Sequence, residues 1–275
     1  MKSIFNNKVI LIIIVLVVLY YLIVLRKDDL IITKLSFTHT QTKFSSVPFK
    51  KRKILIITTE DRDKEYIRLH DLAFGEYATK HDYEYLRLQN CSKEEASTYW
   101  CKMYKVKKAL ELGIYDYVVW VDSDTIITNI HKSFDELISE FGEPDIIIGF
   151  DDLFINYFIP KFMEFKQYNA GIFFIKNTEV GKNFINDCIS RIEGNSSCIV
   201  DGKEQGIWAG ACYEQGIMNL LIKTKYKDYS YIDYSNKLLM NICEFNNSKN
   251  SKSIILHLAG FRDKKRAEVF KYYLK

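Results

Sequence analysis

Apolar positions fall into one long uninterrupted block and a series of short runs set between polar stretches. The block, Val9 to Leu25, holds 17 apolar or tyrosyl residues without a charge, bracketed by Lys8 and by Arg26-Lys27. Lys53–Thr59 (KILIITT) predicts a first strand, and Ile67, Leu69, Leu72, Ala73 and Tyr77 recur at helical spacing over Lys64–His81. Tyr83–Leu88 alternates as a second strand, and Ser97–Gly113 reads as a helix closed by its glycine. Strands follow at Tyr117–Val121, Asp145–Phe150, Gly171–Ile175 and Ile254–Leu258, and helices at Ser133–Phe141, Glu179–Ile192, Glu214–Ile222 and Arg262–Tyr273. Strands alternating with helices predict an α/β domain with a mostly parallel sheet flanked by helices.

Tyr117–Val121 matters most. Its five apolar residues run straight into Asp122-Ser123-Asp124. An unbroken apolar run suits a strand covered on both faces, and ligands of open α/β sheets gather at the carboxyl ends of such strands. Two acids one residue apart there offer hard oxygen ligands to a divalent cation carrying a diphosphate. A D-x-D string arises about once by chance in a chain of this size, and a second such string, Asp61-Arg62-Asp63, reads as that case.

The long block spans about 25 Å as a helix, enough for a thin bilayer, and lacks a small-x-small cleavage site. It predicts a transmembrane signal anchor over residues 9–25, with a cytoplasmic tail over 1–8, a polar stem over 26–51 and one lumenal domain over 52–275. Sequons at Asn90, Asn195 and Asn246 and an even six cysteines point the same way, although six cysteines allow 15 pairings and the sequence selects none. Net charge is +4, from 39 basic and 35 acidic residues, with no basic stripe among stacking aromatics, which argues against nucleic acid. The KKRK run Lys50–Lys53 reads as a solvated edge before the first strand.

Four further stretches carry chemistry. Tyr99-Trp100-Cys101-Lys102 opens a helix; its aromatics are ordinary core, while Lys102 could reach the strand ends and an anionic donor. Tyr168-Asn169-Ala170-Gly171 leads into Ile172–Ile175, either as a plain turn or as an amide for sugar hydroxyls beside a glycine that lets a ligand approach. Tyr213-Glu214-Gln215-Gly216 opens another helix, where acid and amide usually cap but could also stabilise positive charge on a sugar ring. His257-Leu258-Ala259-Gly260 ends the last strand with Arg262, Lys264 and Lys265 behind it. A lone histidine there is commonly structural, yet beside two carboxylates it becomes a third metal ligand.

Taken in order, YWCK, the strand ending in DSD, YNAGIFFIKN, EQ and HLAG resemble glycosyltransferase family 34, the galactosyl-, xylosyl- and mannosyltransferases of Golgi membranes. The resemblance covers about residues 53 to 265. It implies a GT-A fold behind a single-pass type II anchor in the Golgi or endoplasmic reticulum. The activity it implies is an anomer-retaining transfer of a hexose or pentose from a UDP- or GDP-sugar to a glycan or glycoprotein, with Mn²⁺ or Mg²⁺. Homo-oligomerisation is left open. It assigns Asp122, Asp124 and His257 to the metal. Thr58, Thr59, Lys102, Asp122, Ser123, Asp124, Asn169, Gly171 and Lys264 would lie along the donor, and Gln215 with Glu214 at the anomeric carbon. The chain departs from the family in carrying Glu214-Gln215 where Asp-Gln is common. Its denser basic cluster after HxxG leaves Arg262 and Lys264 as rival diphosphate ligands.

Two competing functions remain. Asp122-Ser123-Asp124-Thr125-Ile126 also fits the nucleophile string of haloacid dehalogenase-like phosphatases, but that string belongs on a first strand, and here two strands and two helices precede it. A non-catalytic nucleotide-sugar binding protein of the same fold is the other.

Overall fold

The protein is described from a computed structural model over residues 51–92, 97–150, 168–201, 203–206, 209–241 and 253–275. The 9–25 block, Lys50, residues 151–167, Cys243 and the Asn246 sequon lie outside the described residues. No helix among the described residues is long and apolar enough to cross a membrane.

Strand β1 (Ile54–Thr59), helix α1 (Glu65–His81), β2 (Glu84–Leu88), α2 (Thr98–Glu111) and β3 (Tyr117–Val121) follow the predicted order. After the acids come β4 (Thr125–Ile127), α3 (Phe134–Glu140), β5 (Ile146–Phe150), β6 (Tyr168–Lys176) and α4 (Glu179–Glu193). The chain continues through a small hairpin, β7 (Ile199–Val200) and β8 (Lys203–Glu204), to α5 (Glu214–Lys223) and β9 (Ser230–Asp233). It closes with β10 (Leu239–Asn241), β11 (Ile255–His257) and α6 (Asp263–Tyr273).

Six strands form the main sheet in the order β2-β1-β3-β6-β5-β9. All its pairings are parallel except the two made by β6, which runs antiparallel to both β3 and β5. Successive side chains on a strand point to opposite faces. Tyr117, Val119 and Val121 therefore join α1, α3 and α6 in one core, while Val118 and Trp120 join α2, α4 and α5 in the other. Both faces of β3 are covered, which is why its sequence is apolar without alternation.

Several expectations need correction. The stretch 168–171 is neither turn nor approach: β6 begins at Tyr168, and Asn169 and Gly171 are strand residues. Ile254–Leu258 does hold a strand, β11, but it lies between β10 and β4 in a separate three-stranded sheet. The buried face of α1 is Tyr66, Ile67, His70, Ala73, Phe74, Tyr77 and Ala78, with Leu72 half exposed, because a histidine occupies a core position there. Arg52 of the KKRK run is buried and pairs with Asp135 and Glu143, so that run is not wholly a solvated edge. Disulfides join Cys91 to Cys101 and Cys198 to Cys212, while Cys188 is a buried free thiol on α4.

Candidate active site

In the order β2-β1-β3 the chain passes from β1 to β2 on one side and then crosses back over β1 to β3 on the other, and ligands of such sheets bind at the carboxyl ends where that reversal occurs. Glu60 and Asp122 are the first residues beyond β1 and β3 there. After Val121 the backbone quits the main sheet in a tight turn. The Thr125 amide and hydroxyl both donate to the Asp122 carbonyl, at 3.1 and 2.7 Å. Thr125 then begins β4, which pairs antiparallel with β11 in the register Thr125 to His257. That register carries His257 to the acids from more than a hundred residues away.

Asp122 is fixed on three sides. Its amide donates to the Gly171 carbonyl at 2.7 Å, and its Oδ1 accepts from Trp120 Nε1 at 2.7 Å and from Lys102 Nζ at 3.1 Å. Asp124 presents Oδ1 to His257 Nε2 at 3.1 Å and Oδ2 to an Arg266 guanidinium nitrogen at 2.8 Å. Burial would raise the Asp124 pKa, but the charges of His257 and Arg266 hold it well below the usual carboxylate range. Asp124 is thus a carboxylate at neutral pH.

Asp122, Asp124 and His257 each offer one ligand atom, and these atoms lie within 4.8 Å of one another. Two carboxylates and one imidazole are a donor set suited to a divalent metal ion. The cradle is tight: a Cβ added at Gly171 would lie 2.5 Å from His257 Cε1 and 2.7 Å from Asn169 Oδ1. What approaches the Gly171 backbone is therefore the His257 ring. Asn169 is buried, and its Oδ1 accepts the Gly171 amide at 2.7 Å. Residues and cradle together fit a divalent cation.

Behind the acids lies a buried charge network. Lys102, nearly inaccessible at 6% exposure, pairs with Asp122 at 3.1 Å and with Glu214 Oε1 at 3.0 Å, and donates to the Ala170 carbonyl at 3.2 Å. Burial opposes its charge, but the two carboxylates prevail and its pKa is raised. Lys102 stays protonated as the bridge between β3 and α5. Burial also lifts the Glu214 pKa above the ordinary carboxylate range, against the pull of Lys102. Helix α5 is stitched to β6: Gln215 Oε1 accepts the Ala170 amide at 3.1 Å, and Asn219 exchanges hydrogen bonds with Tyr168 at 2.9 and 3.0 Å. Glu214 Oε2 and Gln215 Nε2 are buried without a hydrogen-bond partner among the described residues.

The remaining sequence-nominated residues divide. Ser123 donates its hydroxyl to Glu60 at 2.9 Å, which ties the acid loop to the end of β1. Thr58 is fully buried, its hydroxyl without a hydrogen-bond partner among the described residues, and Thr59 is half-buried. Arg262 and Lys264 are exposed at the start of α6. Sequence reasoning missed Glu60, Trp120 and Arg266. Arg266 was within reach of pattern analysis, since it stands four residues before the buried Phe270 and so shares its face of α6.

Residues 46–143 match the profile of the galactosyl transferase GMA12/MNN10 family. Over those residues the chain is similar to a glycosyltransferase family. The family match runs from β1 through the two acids to α3, while Asn169, Gly171, Glu214, Gln215 and His257 lie beyond it. Among solved structures, a glycosyltransferase involved in the glycosylation of the major capsid of PBCV-1 is 16% identical, with a TM-score of 0.57 over 80% of this chain and 99% of that one. The glycosyltransferase GlyE of Streptococcus pneumoniae TIGR4 is also 16% identical, with a TM-score of 0.48 over 82% of this chain and 61% of its own. No curated protein matches the chain. The fold shared with the first of these structures is α/β and GT-A-like.

Proposed function

We propose that this protein is a glycosyltransferase that retains anomeric configuration while moving a hexose or pentose from a UDP- or GDP-sugar to a glycan hydroxyl, with Mn²⁺ or Mg²⁺ as cofactor. The observation that carries the reading is the convergence of Asp122, Asp124 and His257 within 4.8 Å at the switch point of the sheet. Those three residues would hold the cation, which when bound neutralises a leaving diphosphate. Trp120 and Lys102 fix one oxygen of Asp122 and so set the direction of its carboxylate. Gln215, its carbonyl oxygen accepting from the Ala170 amide and its amide nitrogen buried without a hydrogen-bond partner among the described residues, offers a preorganised N–H donor to an oxygen of the sugar donor. Glu214 serves as counter-ion to Lys102, and a nucleophilic part for it is the weaker assignment. Arg262 and Lys264 stand at the exposed start of α6 as the cations for the diphosphate.

We also read residues 9–25 as an anchor and the body as lumenal, in the Golgi or endoplasmic reticulum. Two disulfides support an oxidising compartment, and an exposed Asn195 sequon, with the Ser197 hydroxyl donating to Asn195 at 2.7 Å, is compatible with it.

The test uses the full-length chain in detergent micelles with Mn²⁺, a panel of UDP- and GDP-sugars and simple glycan acceptors. Nucleotide release from one donor, abolished by EDTA and by Asp124→Asn with the fold intact, is the expected result. Full activity in Asp124→Asn would remove the site assignment. Nucleotide binding without turnover on any donor would favour a non-catalytic binding protein, and hydrolysis of a simple phosphate ester would favour the phosphatase.

A further inference from the structure

We propose that Tyr99 and Tyr213 form an aromatic platform that seats one pyranose unit of the acceptor glycan. The proposal rests on the transferase reading above. Tyr99 stands in the first turn of α2, three residues before Lys102, and Tyr213 immediately precedes Glu214 at the start of α5. Their ring centres lie 5.3 Å apart at an interplanar angle of 68°. Two side chains more than a hundred residues apart in sequence thus meet edge to face, yet Tyr99 stays 40% exposed and Tyr213 half-buried. Core packing does not account for them, because the neighbouring Trp100 fills that role at 1% exposure.

The pair is held in place from both sides. Cys101, two residues after Tyr99, and Cys212, one before Tyr213, are each tied by a disulfide, to Cys91 and Cys198. The Tyr213 amide donates to the Gly210 carbonyl at 3.0 Å, and that oxygen sits so close to α5 that a Cβ at Gly216 would lie 2.0 Å from it. Rings fixed in advance avoid the ordering cost that mobile side chains add to binding.

The axial C–H bonds of a pyranose give it an apolar face that packs on the negative face of an aromatic ring, while its hydroxyls seek polar groups at the rim. Here the rim carries two phenol hydroxyls and the Glu204 carboxylate, which accepts a hydrogen bond from Ser97 at the start of α2. Burial first, and then the nearby charges of Glu214 and Glu204, raise the pKa of both phenols, so each keeps a proton to donate. Two rings match one sugar unit and fall far short of the roughly 1,000 Å² of a stable protein interface. The platform also adjoins the reacting centre: Lys102 spans Asp122 and Glu214 at 3.1 and 3.0 Å, and Glu214 is the next residue after Tyr213. A sugar seated there lies on the α2–α5 side of the acids.

The test uses the full-length chain in detergent micelles, without donor, and saturation-transfer NMR. The probes are methyl β-D-galactopyranoside, methyl β-D-glucopyranoside, methyl α-D-mannopyranoside, lactose and cellobiose. At least one should take up saturation mainly on the C–H protons of one ring face. Tyr99→Ala and Tyr213→Ala should each weaken its binding about tenfold. Tyr99→Trp should retain it, and UDP and GDP with Mn²⁺ should bind all three variants as they bind the wild type. If Tyr213→Ala fails to fold, the exposed Tyr99 carries the test alone. Wild-type saccharide affinity in a folded alanine variant would overturn the proposal. Equal losses of saccharide and nucleotide binding, or a wild type that binds none of the probes, would do the same. Saccharide binding that depends on both tyrosines, joined to no nucleotide release from any donor, would uphold the platform and overturn the transferase reading beneath it.

Discussion

Gly171 and His257 illustrate how single residues set the geometry of this site. Any side chain at 171 meets the imidazole at 2.5 Å, so Gly171→Ala must push His257 away or spread β6 from the acids. We expect Gly171→Ala to raise the Mn²⁺ concentration needed for half-maximal turnover by tenfold or more while leaving the circular dichroism spectrum intact; an unchanged titration would show that the ring is not a ligand. His257→Ala should raise the same requirement without a steric change, and the two variants combined should be no worse than the poorer one. At this scale the sequence was informative about residue types and poor about neighbours. Asp122, Asp124 and His257 are legible as ligand types at strand ends. That Gly171 serves the histidine, and that Lys102 is enclosed by Asp122 and Glu214, depends on a strand register and a helix docking that no local pattern encodes.

Among the elements, α2 and α5 deserve comparison, because each delivers its site residues from its first or second turn and each is pinned by a disulfide just outside or within that end. Cys101 precedes Lys102 on α2 and bonds to Cys91, while Cys212 lies two residues before Glu214 and bonds to Cys198. Trp100 Nε1 donates to the Cys212 carbonyl at 3.1 Å and so ties the two ends together. The second bond closes a sequence separation of 14, for which chain entropy suggests a stabilisation of about 3 kcal/mol. The paired substitution Cys198→Ser with Cys212→Ser should lower unfolding free energy by about 2–4 kcal/mol in urea titrations. Fluorescence should report the loss of the Trp100 contact first. Most elements were readable from periodicity, within a residue or two at their ends, although β6 begins three residues before its predicted start. The elements missed altogether were short. Strands β4, β9 and β10 have three or four residues each, too few to show a period. Arg52 misled because its partners, Asp135 and Glu143, stand more than eighty residues away.

For the molecule as a whole, acid stability follows from how its buried carboxylates are partnered. Glu60 shows the sign. Burial raises its pKa, but hydrogen bonds from Arg62 and Ser123 outweigh that, so the folded-state value lies below the usual carboxylate range. A carboxyl depressed in this way contributes stability that is present above its unfolded pKa of about 4.3 and is lost as pH falls through the folded value. The thermal midpoint of the wild type should therefore drop more steeply below about pH 4.3 than that of Glu60→Gln; parallel curves would mean that Arg62, whose side chain is 56% exposed, contributes nothing to Glu60 in solution.

The ion pair between Asp124 and Arg266 spans 142 residues of sequence. During synthesis the β1–β3 half can pair and cover its core long before Arg266 leaves the ribosome, because domains assemble from the amino terminus as they emerge. Its two acids must then wait, without their histidine and arginine, until nearly the last helix has docked. Contacts of such separation are late and slow to form. The growing chain therefore passes through a long interval in which the fold is under way while the acids lack their partners, and the site is completed in a single late step.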